Sequence, residues 1–242
     1  METLKDQAAL ITGASGAIGG AIALCLARIG THLCLTGRDA DRLQETADAC
    51  REAGSPRVEG VRADLTRDAE VASLANRMVR EFQGVDLLVH SQGLFRAGLV
   101  ESAPIADLDA QYQVNLRSPY LLTRHLLPAL LERRGQIVFI NSTAGLKTSA
   151  RTAAYGATKH ALRGLADGLR DEVNGRGVRV LTVYPGRTAS AMQREVCAFE
   201  GTDYDPARFA RPEDIALMTV QALALPRSAE VTEITVRQMR PL

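Results

Sequence analysis

Short, continuously apolar runs alternate with longer segments of helical periodicity along nearly the whole chain. Most of these runs lack polar alternation, so each is expected to be a strand buried on both faces, as in a parallel sheet. The predicted strands are 8–12, 32–36, 58–63, 86–90, 136–141, 179–184 and 233–237. The predicted helices are 17–29, 39–53, 67–82, 105–133 (broken around Pro119), 152–175 and 212–224.

This strict alternation of strand and helix predicts an α/β fold. We expect a doubly wound, seven-stranded parallel sheet of the Rossmann type, with helices on both faces. No proline-rich linker, repeat or low-complexity tract divides the 242 residues, so residues 1–242 are expected to form a single domain. A chain of this length can bury a sizeable core.

Composition argues against several classes of protein. The formal net charge is +1 and basic residues do not cluster, which argues against a nucleic-acid partner. No apolar run approaches the ~18–20 residues that span a bilayer, and the first residues do not resemble a secretory signal. The four cysteines are scattered without the spacing of metal ligands. We therefore expect a cytoplasmic protein without a metal site.

The segment LITGASGAIGGAIALCLARIG places three glycines between the first strand and the first helix. Gly13 would permit a tight turn, Gly16 would let the backbone approach a phosphate, and Gly19 would let the helix pack close to the strand. The helix N-terminus would offer unpaired N–H groups to a pyrophosphate. In this position the turn favours dinucleotide binding over a role in packing alone.

A tyrosine and a lysine stand four residues apart in SARTAAYGATKHAL, residues 149–162. Tyr155 and Lys159 therefore share one face of the predicted helix. An adjacent ammonium favours the phenolate, so the Tyr155 pKa is expected to fall toward neutrality, which would suit proton transfer. The alternative is a coincidental pair in which Tyr155 is an aromatic residue at an interface.

With these two motifs, essentially the whole chain resembles the compact subclass of the short-chain dehydrogenases/reductases. The glycine turn resembles that family's TGxxxGxG, with Ala17 in place of the middle glycine, and YGATK resembles its YxxxK. The resemblance adds Ser142, thirteen residues before the tyrosine, and Asn115 in YQVNLRSPY.

The resemblance also implies a role for each of these four residues. Ser142 would donate a hydrogen bond to a substrate carbonyl, and Tyr155 would donate the proton as hydride reaches carbon. Lys159 would lower the tyrosine pKa and hold the nicotinamide ribose, and Asn115 would keep a water in a proton relay. The alternative for Ser142 is ordinary hydrogen bonding at a strand end, and for Asn115 it is ordinary hydrogen bonding in a helix.

A nicotinamide dinucleotide cofactor is implied as well. Asp64 would contact its adenine, or would act as an ordinary helix N-cap. HSQG stands where the family usually has NNAG: His90 is expected to be structural, and Gln92, in place of a small alanine, would crowd the cofactor ribose. The other implied cofactor-binding residues are Gly13, Ser15, Gly16, Ile18, Gly19, Gly93, Tyr155, Lys159, Pro185, Gly186 and Thr188.

The end of the second strand favours NADP(H) over NAD(H). Where NAD-binding sheets usually carry an acidic residue, the chain has Gly37 followed by Arg38. Glycine leaves space for a 2′-phosphate, and a guanidinium offers it charge-assisted donors. The alternative is that Arg38 is solvated and that Asp39 or Asp41 binds the ribose.

The resemblance divides the chain into a nucleotide-binding part at about 1–90, a catalytic part at about 91–186 and an irregular substrate lid at 187–210. The expected substrate is a small carbonyl compound or alcohol, largely apolar because of Leu94, Phe95, Leu146 and Met192. The resemblance also implies a homodimer or homotetramer, because the long helices at 105–133 and 152–175 pack subunits together in the family. The alternative function is a nucleotide-sensing regulator on the same fold, which need not retain a proton donor.

Overall fold

The computed structural model describes residues 2–239, and its seven strands form one fully parallel sheet. The strands are β1 Ala8–Thr12, β2 His32–Gly37, β3 Val58–Arg62, β4 Leu87–His90, β5 Gln136–Ile140, β6 Arg179–Pro185 and β7 Glu233–Val236. Their spatial order is β3-β2-β1-β4-β5-β6-β7, which confirms the predicted doubly wound sheet.

Helices cover both faces of the sheet and enclose two apolar cores. The helices are α1 Ala17–Ala27, α2 Ala40–Glu52, α3 Asp68–Glu81, α4 Ile105–Tyr112, α5 Ser118–Arg133, α6 Ala153–Val173, α7 Ala191–Glu200 and α8 Pro212–Leu223. One core joins α1, α2 and α8 to the sheet, and the other joins α3, α5 and α6. None of the helices within residues 2–239 has the length and apolarity needed to cross a membrane.

Strand β1 shows why the central runs are apolar at every position. All five of its residues are buried, and successive side chains point to opposite faces. Ala9 and Ile11 therefore enter one core, while Ala8 and Leu10 enter the other. A strand in the middle of a doubly covered sheet has no solvent face, which explains the lack of alternation.

The long helical segment is irregular just before Pro119, where the sequence predicts a break. Helices α4 and α5 are joined by a π-helical turn, Gln113–Arg117, in which the Ser118 N–H donates to the Gln113 carbonyl. Pro119 has no N–H and so cannot donate to the carbonyl of Asn115, its α-helical partner. The helix widens at that point and continues instead of ending.

The expectation of an irregular segment over 187–210 is wrong, because α7 lies within it. The Ser190 hydroxyl caps this helix by accepting a hydrogen bond from the Gln193 N–H at 3.1 Å. Gly201 ends the helix in a left-handed conformation. The serine and the glycine are the sequence signals of this helix.

Candidate active site

A cleft of about 480 Å³ opens where the strands of the sheet end. Residues at or directly after the carboxyl ends of β1, β2, β4 and β5 line it: Gly13, Gly37, Ser91 and Ile140. Ligands of open α/β sheets bind outside the carboxyl ends of the strands. The cleft also brings together the glycine turn, Arg38 and the Tyr155–Lys159 pair.

The glycine turn has the close contacts that its sequence predicts. Gly13 has a φ of 65°, and a Cβ there would lie 2.7 Å from the backbone nitrogen of Gln92. A Cβ on Gly19 would lie 2.4 Å from the Gly13 carbonyl oxygen, so the first turn of α1 packs directly on the loop. Because Gly16, the N-cap of α1, makes no side-chain capping bond, the first N–H groups of this helix suit a pyrophosphate.

Gly19→Ala is expected to destabilise the protein by about 1–3 kcal/mol, since its Cβ would overlap backbone that cannot rotate away. Thermal or denaturant unfolding measures the effect. Gly168→Ala in α6 is the matched control, because nothing lies within 4 Å of its Cβ position; it should stabilise by about 0.4–1 kcal/mol. Equal effects of the two substitutions would contradict the close packing at Gly19.

Two arginines line the end of the cleft near β2. Within residues 2–239, neither Arg38 nor Arg42 has a carboxylate within 4.0 Å. Asp39 caps α2, its Oδ1 accepting a hydrogen bond from the Arg42 N–H at 3.1 Å. Arg42 was not among the cofactor-binding residues predicted from the sequence. Its spacing of four residues from Arg38, across the start of a helix, was the available signal that both arginines face the cleft.

Asp64 lies in the cleft wall near the same arginines. Its Oδ1 accepts hydrogen bonds from the Thr66 hydroxyl at 2.8 Å and the Thr66 N–H at 3.1 Å. Burial alone would raise the Asp64 pKa, but these hydrogen bonds and the charges of Arg38 and Arg67 hold it below its ordinary value. The N-cap alternative is wrong, because α3 begins at Asp68 and its N-cap is Arg67.

Tyr155 and Lys159 lie in the first two turns of α6 and face the cleft from buried positions. The Lys159 Nζ donates a hydrogen bond to the Ile140 carbonyl at 3.2 Å and lies 5.8 Å from the centre of the Tyr155 ring. Phe95 packs edge-to-face on that ring, with 5.1 Å between centroids. The phenol is therefore held between an aromatic wall and a buried ammonium.

The expectation that the Tyr155 pKa falls toward neutrality is wrong in this structure. Burial raises the Tyr155 pKa to about 12, and a hydrogen bond with Ser142 opposes the rise only partly. Burial also lowers the Lys159 pKa, to about 8. Removal from water penalises the phenolate and the ammonium alike.

Ser142 is not among the residues that line the cleft, but its side chain acts on Tyr155 by lowering the pKa of the phenol. It follows β5 and caps a short 3₁₀ turn, Thr143–Gly145, where its hydroxyl oxygen accepts a hydrogen bond from the Ala144 N–H at 3.1 Å. The cap fixes the serine side chain, so its hydroxyl is held against the phenol.

Asn115 lies in the π-helical turn and is buried. Its side chain exchanges two hydrogen bonds with Leu94: the Leu94 N–H donates to Oδ1 at 2.8 Å, and Nδ2 donates to the Leu94 carbonyl at 2.9 Å. Nδ2 also donates to the Thr158 hydroxyl at 3.1 Å. The side chain thus anchors the loop after β4 to α6.

The loop after β6 is placed differently from what the resemblance implies. Pro185, Gly186 and Thr188 do not line the cleft, and the Gly186 N–H donates to the Val236 carbonyl at 2.8 Å. The cap and the first turns of α7 line the cleft instead. Met192 was expected near the substrate, whereas Ser190, Ala191 and Glu195 were not among the expected binding residues. The expected Gly93 does line the cleft, next to Met192.

His90 is a structural residue. Its ring is buried, its Nε2 pairs with the Thr123 hydroxyl at 2.8 Å, and it stacks on Phe139 at 5.0 Å. Burial lowers its pKa to about 3, so the imidazole is neutral at physiological pH. In the described part of the chain, no three His, Cys, Asp or Glu side chains group as a metal site.

Known proteins resemble this chain over nearly its whole length. An uncharacterized oxidoreductase of Staphylococcus saprophyticus is 32% identical over 238 residues, covering 98% of this chain and 99% of its own. An alcohol dehydrogenase of the archaeon Thermococcus sibiricus, complexed with 5-hydroxy-NADP, superimposes with a TM-score of 0.87 at 27% identity and covers 98% of this chain and 99% of its own. A metagenomic short-chain oxidoreductase in complex with NADP gives 0.84 at 30% identity, covering 99% and 100%.

The family model described as short chain dehydrogenase matches residues 7–201, a range that holds both the glycine turn and the Tyr155–Lys159 pair. That range, the shared sheet and the similar length of the relatives agree with the resemblance seen in the sequence. The chain belongs to the short-chain dehydrogenase family and is an oxidoreductase.

Proposed function

We propose that this protein is an NADP(H)-dependent oxidoreductase that interconverts a carbonyl compound and an alcohol, with Tyr155 as the general acid and base. One observation carries the proposal: a buried phenol whose pKa Ser142 lowers, and which lies beside the Lys159 ammonium, faces the same cleft as the glycine turn. A proton donor and a phosphate cradle in one cleft suit the reduction of a carbonyl by a dinucleotide.

A bound nicotinamide would supply the hydride to the carbonyl carbon, or accept it in the reverse direction. Tyr155, with a pKa of about 12, is protonated at neutral pH and remains far more acidic than an aliphatic alcohol. It can therefore give its proton to the oxygen as negative charge develops there. Ser142 would donate a hydrogen bond to the same oxygen, and Lys159 would hold a positive charge close to it.

Asn115 would act by holding a water in position. Its side chain is already engaged by Leu94 and Thr158, so we assign the water of the proton relay to its backbone carbonyl. Such a water could return a proton to Tyr155 by way of Lys159. In the oxidation direction the same path would remove the proton that Tyr155 takes from the alcohol.

The arginines near β2 support NADP(H) as the cofactor. Arg38 and Arg42 are free to bind a 2′-phosphate, and Asp39 is committed to capping α2. Two similar structures contain NADP or an NADP derivative, which agrees with this assignment. Asp64 would then serve the adenosine from the β3 side of the cleft.

Arg38→Ala is expected to weaken NADPH binding about 10- to 150-fold, because a charge-assisted hydrogen bond contributes roughly 1.5–3 kcal/mol. NADH affinity should stay nearly unchanged, since NADH has no 2′-phosphate. Titration of both cofactors against the parent and the variant, by fluorescence, measures the effect.

Arg80→Ala, an exposed arginine in the last turn of α3 and outside the cleft, is the matched control for the loss of one positive charge. It should leave both affinities unchanged. A parent that binds NADH as tightly as NADPH, or an Arg38→Ala variant that loses both equally, would rule out the assignment.

The substrate would lie against Leu94, Phe95 and Met192, which line the cleft beside Tyr155. These side chains support a largely apolar carbonyl compound or alcohol. Residues 187–210, including α7, would close over it as a lid. The cleft is not wholly apolar, because Arg96 and Glu195 also line it, with 3.9 Å between a guanidinium nitrogen and a carboxylate oxygen.

The proposed function is tested by screening a panel of ketones, aldehydes and alcohols with NADPH, NADH and their oxidised forms. We expect turnover of an apolar member with NADP(H), detected by nicotinamide absorbance. Tight NADPH binding without turnover of any member would favour the nucleotide-sensing alternative instead.

A further inference from the structure

Gln92 occupies the position in the cleft wall where the sequence departs most from its family pattern. It directly follows Ser91 at the end of β4, and a Cβ on Gly13 would lie 2.8 Å from its Cα. The Ser91 N–H donates to the Thr12 hydroxyl at 3.2 Å, which ties this loop to the end of β1. Gln92 is thus fixed between the glycine turn and the residues that lead to Phe95.

The side-chain amide of Gln92 is buried at both polar atoms. Within residues 2–239, neither Oε1 nor Nε2 has a hydrogen-bond partner. Gln136, at the opposite end of the sheet, shows the usual arrangement: its buried Nε2 donates to the Leu223 carbonyl at 3.1 Å. Proteins rarely bury an amide without a partner, because the group loses its bonds to water and gains none in return.

We propose that the Gln92 side-chain amide is a binding group for the dinucleotide, which supplies its missing hydrogen bonds. The inference rests on the proposed cofactor. The residue lies between the turn that suits the pyrophosphate and the Lys159 end of the cleft, so phosphate oxygens and ribose hydroxyls are the groups within its range. An amide offers both a donor and an acceptor, as a sugar–phosphate segment requires.

Crowding is the rival explanation, and it makes the opposite prediction. If Gln92 merely fills space that the cofactor ribose needs, shortening the side chain tightens NADPH binding. If its amide binds the cofactor, shortening the side chain weakens binding. Gln92→Ala therefore distinguishes the two by the direction of the change in Kd, and Gln92→Met removes the polar atoms while keeping the length of the side chain.

The experiment compares the NADPH Kd of the cofactor-free parent, Gln92→Met, Gln92→Ala and Gln136→Met by fluorescence titration, with thermal unfolding of each cofactor-free protein. We expect both Gln92 variants to bind NADPH about 2- to 12-fold more weakly, the range for one neutral hydrogen bond. Gln92→Met should also raise Tm, by about 2–4 °C, because it removes an unpaired buried amide. Gln136→Met, which loses a satisfied amide far from the cleft, should lower Tm and keep the parent Kd.

Parent-like or tighter NADPH binding by either Gln92 variant would overturn the proposal, as would a fall in Tm of Gln92→Met with affinity retained. A parent that binds neither NADPH nor NADH would instead defeat the proposed function itself. The two failures are therefore distinguishable in one set of titrations.

Discussion

Tyr155→Phe is expected to lower kcat by about 10²–10⁴-fold while NADPH binds as it does to the parent. The substitution removes one hydroxyl from a ring that keeps its packing against Phe95, so the wall of the cleft is preserved. What is lost is the group that gives a proton to the substrate oxygen, and general acid catalysis contributes about that factor. Steady-state kinetics and a fluorescence titration of NADPH measure the two effects separately.

A clean result requires that the variant is folded. The phenol is buried, and the substitution removes its interaction with the Ser142 hydroxyl, which lowers the Tyr155 pKa. Thermal unfolding should therefore show a small change, equivalent to roughly 0.5–1.5 kcal/mol. A folded Tyr155→Phe variant that retains near-parent kcat would show that Tyr155 is not the acid.

Ser142→Ala is expected to lower kcat by about 10²–10³-fold, the loss that follows removal of one hydrogen-bond donor to a developing oxyanion. The serine is fixed for this role by its capping bond from the Ala144 N–H and by its contact with the phenol. NADPH affinity should change little, because Ser142 is not part of the cleft wall near the glycine turn.

Ser142 also stabilises the turn that it caps, so loss of a cap could by itself disturb the site. Ser142→Thr is the matched variant, since it restores a hydroxyl that can both cap the turn and donate to the substrate. We expect Ser142→Thr to recover kcat. We also expect the kcat loss of Ser142→Ala, expressed as a free energy, to exceed its loss of folding stability. An unchanged kcat in Ser142→Ala would remove this serine from the mechanism.

The central part of the sheet was predictable because its strands are buried on both faces. The apolar runs of β1, β4 and β5 have almost no polar interruption, and glycine or polar residues bound them. The roles of Gly13 and Gly19 could also be predicted, because a turn packed against backbone tolerates no side chain. Tyr155 and Lys159 could be paired because helical spacing alone places them on one face.

Other features depend on contacts between distant parts of the chain and have no local signal. The raised pKa of Tyr155 results from burial by neighbours such as Phe95, which the spacing of Tyr155 and Lys159 does not report. The two hydrogen bonds between the Asn115 side chain and the Leu94 backbone likewise depend on how the loop after β4 folds. Ser142 and Asn115 were found by family resemblance, since neither carries a motif of its own.

The position of α8 has a consequence for synthesis on the ribosome. Strands β1, β2 and β3 are adjacent in the sheet and are made first, so a nascent chain can pair them before Ser142 and Tyr155 exist. The core on the α1 face, however, includes α8, which is among the last elements to be made. The apolar face of α1 therefore stays partly exposed until translation is nearly complete, and such a surface is prone to aggregation during that interval.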